Sequence, residues 1–320
     1  MRSLSYKEFC GERERFQASV AQTPEIAEFC SGAIWQQAAH DALHRTDEEA
    51  NHLIIEDDDQ WLAFVERDQP RIFFPLESAW MFGCPLIGDP ARAVALLRKM
   101  PKTYTPGPVG FCIGGIRKEG QLHRELEAIR SETIQFEVFP TTDCMMIDLA
   151  GGIDPWLQRR SKKFRKSLRQ NAGLSGLQID DANRLEPDTL IARIIRLQEQ
   201  TYKWREGTDI FQMKEYADFY EAIIRQLHAS GELRVLFATE NNEDLAYIFG
   251  GISNEIYRGF QMSYVDSAKD RGIGNALQIE NITRVAAEGV TRYDLGMHSP
   301  YKERWADTRD AYIGVFVVLA

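Results

Sequence analysis

The chain has 320 residues, long for one small domain and suited to two of about 150 each. With 38 Lys and Arg against 48 Asp and Glu it carries a formal net charge of −10, which argues against a broad nucleic-acid or anionic-membrane footprint. Its composition is that of a globular chain, and no apolar run approaches the ~20 residues that span a bilayer. The opening MRSLSYKEFCGERERFQ lacks the apolar core of a secretory signal. Five cysteines (Cys10, Cys30, Cys84, Cys112, Cys144) form an odd set with no Cys-x-x-Cys pair. The expectation is a cytoplasmic protein with reduced thiols, not a disulfide frame or a zinc site.

Residues 1–24 are rich in charge and predict a peripheral helix. Pro24-Glu25 opens a helix through about Leu43, with Ile26, Phe29, Ile34, Ala38 and Leu43 on one side and Trp35 in the core. Two strand-like runs lie between 52 and 77. The Asp57-Asp58-Asp59 between them lacks the glycine and distant Glu of a calcium loop and reads as a solvated turn. Gly83 and Gly88 flank a loop, a helix starts at Pro90, and a buried strand follows TPGPVG. The helix QLHRELEAIR leads to two further strands, TIQFEVF and CMMIDLA. Gly151-Gly152-Ile153-Asp154-Pro155 marks the expected boundary between a domain of residues 1–150 and one of residues 151–320. Asp154 is placed to cap a helix that Pro155 begins.

In that helix Leu157, Ser161, Phe164 and Leu168 make a narrow stripe. Arg159, Lys162, Lys163, Arg165, Lys166 and Arg169 fill the rest of the circumference. The cations form either a solvated face or an anion site. For the latter, Arg165 and Arg169, four apart, would hold a donor phosphate or an acceptor carboxylate. A helix from Pro187 buries Leu190, Ile194, Leu197 and Thr201 and runs out at Tyr202-Lys203-Trp204-Arg205-Glu206-Gly207. Another, KEYADFYEAIIRQLHAS, stops at Gly231. From Leu233 to Val265 three runs rich in Val, Ile, Phe and Tyr predict an antiparallel meander. Then come Lys269-Asp270-Arg271-Gly272-Ile273-Gly274, a helix from Asn275 to Glu288 closed by Gly289, and a strand over Val290–Met297. A small-residue loop opening a helix beside a sheet presents free N–H groups and the positive end of a dipole. Such a turn suits a phosphate or pyrophosphate.

Lys269–Gly274 resembles the pyrophosphate loop of the GNAT superfamily, usually (Arg or Gln)-x-x-Gly-x-(Gly or Ala), with Lys269 in place of Arg or Gln. The helix end Glu288-Gly289, the strand Tyr293-Asp294-Leu295-Gly296 and Tyr301-Lys302-x-x-Trp305 narrow the resemblance. They resemble the GNAT branch of bacterial exopolysaccharide and cellulose-biosynthesis clusters, related to the Fem-type peptidyltransferases. Trp156-Leu157-x-Arg159-x-Ser161-Lys162-Lys163-Phe164-Arg165-x-x-Leu168-Arg169 and Tyr202–Thr208 agree with it, so that it extends over residues 25–310. The resemblance implies an α/β fold of tandem GNAT-like domains, each with a mixed central sheet flanked by helices. It also implies an N-terminal half without a phosphate loop, and an acceptor cleft between the halves.

The activity it implies is transfer of an acyl group, most simply acetyl, from acetyl-CoA or another acyl-CoA to an amine. The acceptor would be a small molecule or amino sugar, with no metal, no membrane insertion and no nucleic acid. Lys269, Arg271, Gly272, Ile273, Gly274 and Asn275 would hold the donor, and Tyr202, Trp204, Arg165, Arg169 and Lys302 the acceptor. Attack on a thioester needs a route for the amine proton and an acid for the departing thiolate. The candidates are Tyr264, Asp266, Asp294, His298 and Tyr301. His298 brings the side-chain type best suited to moving protons near neutrality, and Tyr301 the position favoured by the motif. An aminoacyl-tRNA-dependent transferase of Fem type stays open, although the acidic balance and the lack of a long heptad-bearing arm count against it. A longer acyl donor and a catalytically inactive ligand-binding or scaffold protein stay open too. Gly-x-Ser-x-Gly, His-Glu-x-x-His and Gly-x-x-x-x-Gly-Lys-(Ser/Thr) are absent. Acceptor identity and oligomeric state are not legible.

Overall fold

Local chemistry starts the elements of the first unit, Met1–Asp143 with Asp310–Ala320. The computed structural model describes every residue except 45–49, 68, 79, 102–106 and 173–175. Strands β1 (Arg2–Leu4), β2 (His52–Asp57), β3 (Gln60–Glu66), β4 (Ile72–Pro75), β5 (Leu86–Ile87), β6 (Val109–Arg117) and the start of β7 (Gln135–Asp148) belong to this unit, together with the last strand, β13 (Thr308–Leu319). They run in the order β1-β2-β3-β4-β6-β13, with β5 on β3; β4 and β6 are parallel. Helices α1 (Tyr6–Gly11), α2 (Arg13–Gln22), α3 (Glu28–Ser31), α4 (Ala33–Leu43), α5 (Pro90–Leu97) and α6 (Gln121–Ala128) accompany them. Asp89 caps α5 by accepting from Arg92 N, and Pro90 occupies its first turn.

Three expectations change in this unit. Residues 1–24 are not a peripheral helix. Phe9, Phe16 and Val20 are fully buried, and Phe16 meets Trp61 edge-on at 5.5 Å. The charges on these helices point outward and mask an inward apolar face. The helix expected from Pro24 begins only at Glu28, because Glu25 takes φ 58 and turns the chain before it can coil. TIQFEVF and CMMIDLA form the single strand β7, since the φ of Pro140 suits extended backbone and costs the ladder only one N–H. Trp35 is core as expected, 5% exposed, with its indole N–H donated to Glu77. Asp58 sits at φ 60 in the β2–β3 turn, facing Arg92.

A buried imidazole cluster makes this unit acid-sensitive. His40 Nε2 and His52 Nε2 stand 3.1 Å apart, and His44 stacks on His40 at 4.6 Å. Burial, then the neighbouring His44 and His52, push His40 down to about 3. The folded pKa lies below the usual value near 6.5, so the contribution is complete above about pH 6.5 and is lost as pH falls toward 3, at about 1.4 kcal/mol per unit. Urea midpoints are expected to drop between pH 6.5 and 5, and His40→Gln to flatten that dependence. An equally steep fall in the variant would assign it to other groups.

The chain enters the second unit, Cys144–Arg309, inside β7, upstream of the Gly151–Pro155 boundary expected from sequence. Its strand order is β7-β12-β11-β10-β9-β8, with β8 Gln178–Asp181, β9 Leu233–Glu240, β10 Glu243–Ser253, β11 Ile256–Tyr264 and β12 Arg292–Met297. Only β11 and β12 are parallel. The helices are α7 (Ile153–Arg159), α8 (Lys162–Ala172), α9 (Pro187–Gln198), α10 (Tyr202–Arg205), α11 (Lys214–Ser230), α12 (Ile273–Ala287) and α13 (Pro300–Glu303). The helix expected from Pro155 is thus two. Gly152, at φ 82, is the N-cap in place of Asp154, and Arg160 is extended. Arg160 leaves the helix because its guanidinium donates to Trp305 O at 3.0 Å and Ala306 O at 2.7 Å and pairs with Asp307. Trp156 stacks on Trp305 at 6.1 Å. Beneath α12, Gln278 and Asn281 each donate to Tyr293 Oη at 2.8 Å, fixing the helix to the sheet.

Candidate functional site

The meander feeds the site. β11 pairs with β10 as far as Tyr264, with an irregularity between Gly259 and Gln261. Its other edge pairs with β12 over only three residues, Ile256–Arg258 against Arg292–Asp294. From Gly259 onward the two parallel strands part. This leaves an opening in the sheet, with β11 on one side and Leu295–Met297 on the other.

At the end of β11 the chain makes a short turn and enters α12. Gly272, the N-cap, has φ 76, a conformation that glycine adopts without strain. Asn275 N and Ala276 N both donate to Gly272 O at 3.1 Å. Among the described residues the N–H groups of Gly272, Ile273 and Gly274 have no partner, as the first turn of a helix requires. A Cβ on Gly274 would meet Met262 Cε and Tyr264 Cδ1 at 3.7 Å, ordinary contact. Gly272 is therefore needed for its backbone, whereas a side chain at Gly274 would be accommodated without a clash.

The cations expected at this turn part company. Arg271 is held by Glu240 in two hydrogen bonds, of 3.1 and 2.7 Å, and its charge holds the Glu240 carboxyl below the usual range. It is engaged at the β9 end by that carboxylate. Lys269 is exposed and unpaired among the described residues. Ile273 is buried core at the helix start. Asn275 Oδ1 accepts from Arg304 at 3.4 Å, so the turn touches the segment after α13.

Asp266 organises the approach to the turn. It accepts from Tyr202 N at 3.0 Å and pairs with Arg205, binding α10 to the end of the meander. This is an occupation different from the acid–base role expected of it. Tyr202 is left 51% exposed beside it, with Trp204 half-buried. Tyr264 is 41% exposed at the tip of β11. His298 is tied to Glu303 at 2.7 Å.

Tyr301 does not present an open hydroxyl. Its Oη is buried and lies near Trp305 Nε1 without a hydrogen bond of good geometry to it. Burial raises its pKa, partly offset by Arg304, whose guanidinium lies 5.0 Å over the ring. Lys302 Nζ donates to Met297 O at 2.9 Å at the end of β12. Burial first, and the nearby Arg258 next, push it down to about 8.

Where β11 and β12 part, the sequence candidate Asp294 meets an arginine that sequence reasoning did not single out. Arg258, 5% exposed, pairs with Asp294 and approaches Cys144 Sγ at 3.5 Å. Asp294 Oδ1 accepts from Gly296 N at 2.7 Å, within the turn that gives Gly296 φ 82. The one sequence signal is a charged residue, Arg258, inside a strand whose first residues, Ile256 and Tyr257, are buried. Among the described residues no group of three or more His, Cys, Asp or Glu is placed to hold a metal ion.

An unpaired glycine turn at the head of a helix, beside two parallel strands that part, presents N–H donors and the positive end of a dipole, a setting suited to anions. Residues 158–303 match the family model of an acetyltransferase (GNAT) domain. The second unit carries a GNAT-fold domain. Among solved structures, FemX is similar over 99% of this chain and 97% of its own, at 12% identity and a TM-score of 0.71. A conserved protein of unknown function from Bacteroides thetaiotaomicron VPI-5482 aligns over 96% and 97%, at 14% identity and 0.64. L-PGS from Bacillus licheniformis aligns over 94% and 90%, at 13% identity and 0.55. At such identities the likeness is one of fold. No curated protein matches the chain. Among the described residues no helix is long and apolar enough to cross a membrane.

Proposed function

We infer that the GNAT domain transfers an acyl group, most simply acetyl, from a coenzyme A thioester to an amine. The acceptor is read as a small molecule or amino sugar, in keeping with the resemblance to the exopolysaccharide-associated branch. The observation that carries this reading is the position of the unpaired Gly272–Gly274 N–H groups beside the opening between β11 and β12. The diphosphate lies on the turn, and the pantetheine arm enters the opening, where freed backbone donors of β11 meet the thioester carbonyl. The amine attacks that carbonyl, the C–S bond breaks, and the thiolate takes up a proton.

Two side chains suit the proton traffic. Tyr301, kept protonated by burial, donates to the thiolate. Lys302, with its pKa near 8, has a neutral fraction at physiological pH and can take the amine proton through a water. Native mass spectrometry with a coenzyme A thioester series, followed by an amine panel, tests the reading. One equivalent of acetyl- or acyl-CoA bound and thiol released on adding an amine is the expected result. Failure to bind any thioester, with turnover of an aminoacyl-RNA instead, would overturn it.

Because Arg271 is engaged by Glu240, its removal is expected to weaken coenzyme A binding little. Lys269→Ala is expected to cost about 1.5–3 kcal/mol, the range for a hydrogen bond to a charged group. Calorimetry on the two variants decides it, and a larger loss for Arg271→Ala would show that the ligand breaks the Glu240 pair.

A further inference from the structure

The motif Tyr301-Lys302-x-x-Trp305 ends on a tryptophan whose side chain carries one polar group, an indole N–H. Trp305 is fully buried. Its Nε1 has no well-formed hydrogen bond among the described residues, and the same holds for Tyr301 Oη. The two atoms face each other, with the ring centres 6.0 Å apart and the planes inclined at 47°. An indole N–H can only donate, whereas a hydroxyl both accepts and donates. In this pair the tryptophan is the donor.

The indole is also the fixed member. It stacks on Trp156 at 6.1 Å and meets Phe164 edge-on at 5.1 Å. Trp305 O accepts from Trp156 Nε1 at 3.1 Å and from Arg160 Nη1 at 3.0 Å, and Trp305 N donates to Lys302 O at 3.0 Å. Ring and backbone are both held, and a buried ring packed among aromatic neighbours cannot turn without opening the core. The hydroxyl proton of Tyr301, by contrast, can choose its direction. A fixed donor on one side of that hydroxyl decides where the proton points.

We propose that Trp305 is a positioning residue for Tyr301: its indole N–H takes one lone pair of Tyr301 Oη and leaves the phenol O–H directed at the departing thiolate. This inference rests on the thioester donor and the acid role of Tyr301 proposed above. As the C–S bond breaks, the proton moves from Tyr301 Oη to the sulfur of coenzyme A. The Trp305 N–H stays on the phenolate oxygen until the proton shed by the amine restores the phenol. Hydrogen bonds of this kind are often loose in an unliganded site and tighten when the reacting group arrives. Burial sets the Tyr301 pKa high; Arg304 and then the Trp305 N–H work against it, because each favours the phenolate that forms on transfer.

The test is a double-mutant cycle in kcat on the full chain, with the thioester and amine that the mass-spectrometric panel identifies. Trp305→Phe removes the N–H and keeps an aromatic ring. It is expected to lower kcat about 3- to 10-fold, as loss of one neutral hydrogen bond gives, with KM for both substrates within about twofold. In the Tyr301→Phe background the same change should leave kcat as it is, because the group it acts through is gone. A packing role lowers kcat by the same factor in both backgrounds. That result, or an unchanged kcat in folded Trp305→Phe, would overturn the assignment while leaving the donor reading in place. Should the smaller ring loosen the core, the comparison is made with benzothienylalanine at position 305, which keeps the shape of tryptophan with sulfur in place of the N–H. The same loss of kcat at an unchanged melting temperature is expected there, and full activity overturns the assignment. Full activity of Tyr301→Phe would remove the acid role and this inference with it. Release of no thiol from any acyl-CoA by the wild type would remove the donor reading as well.

Discussion

Gly274→Glu is expected to fold at least as well as the wild-type chain and to lose coenzyme A binding altogether. Gly274 lies in the first turn of α12, where its N–H has no partner and a Cβ would make only ordinary contacts with Met262 and Tyr264. Replacing glycine inside a helix with glutamate gains roughly 0.5 kcal/mol in propensity. A carboxylate in the first turn adds about 0.3–1 kcal/mol through the helix dipole. The variant is therefore not a destabilised protein in disguise. The same carboxylate satisfies the donors that would face a diphosphate, fills the space it needs and repels its charge. Gly274→Ala is the control: it adds one methyl group and no charge, and should bind with an intermediate affinity. Thermal unfolding and calorimetry on the same preparations decide the matter. Unchanged coenzyme A affinity in folded Gly274→Glu would remove the turn from the donor site.

What the sequence made legible, and what it hid, divides along the range of the interactions involved. The three-strand meander, the helix after the glycine turn and the stops at Gly231 and Gly289 rest on local chemistry. Both stop glycines take positive φ, 73 and 93, the conformation their positions demand. The spacing of Leu190, Ile194 and Leu197 fixed a buried face for the same reason, since a helix repeats over short range. The N-terminal helices read as peripheral because their charges cluster in Glu12–Arg15 between the apolar positions, although Phe9 and Phe16 suffice to anchor them. The site was less legible than the fold. A motif locates Arg271 beside a phosphate turn, but only tertiary structure brings Glu240 up to it. The opening between β11 and β12 depends on where their register stops, and neither strand encodes that alone. Arg258 looked like one more strand residue until Asp294 closed on it from the parallel neighbour.

Tyr301→Phe should lower turnover by roughly 10²–10⁴, the span of one acid–base group, and leave melting temperature equal or higher. The second half of that expectation comes from the hydroxyl itself. Tyr301 Oη is buried and faces Trp305 Nε1 without a well-formed hydrogen bond, and a poorly satisfied buried polar group costs up to about 1–3 kcal/mol. Phenylalanine keeps the ring against Trp305 at 6.0 Å and under Arg304 while removing that oxygen. A group so placed gains most from a ligand that supplies its partner, and on the proposed reading the departing thiolate would be that partner. The raised pKa fits the direction of transfer, because a phenol that holds its proton at neutral pH can donate it and cannot serve as a base. Coenzyme A affinity should stay within about twofold, since one uncharged hydroxyl contributes little to ground-state binding. A variant that gains stability and keeps its full rate would make Tyr301 a packing residue. Proton delivery would then fall to Lys302, and Lys302→Met should abolish the alkaline dependence of the rate near its pKa of about 8.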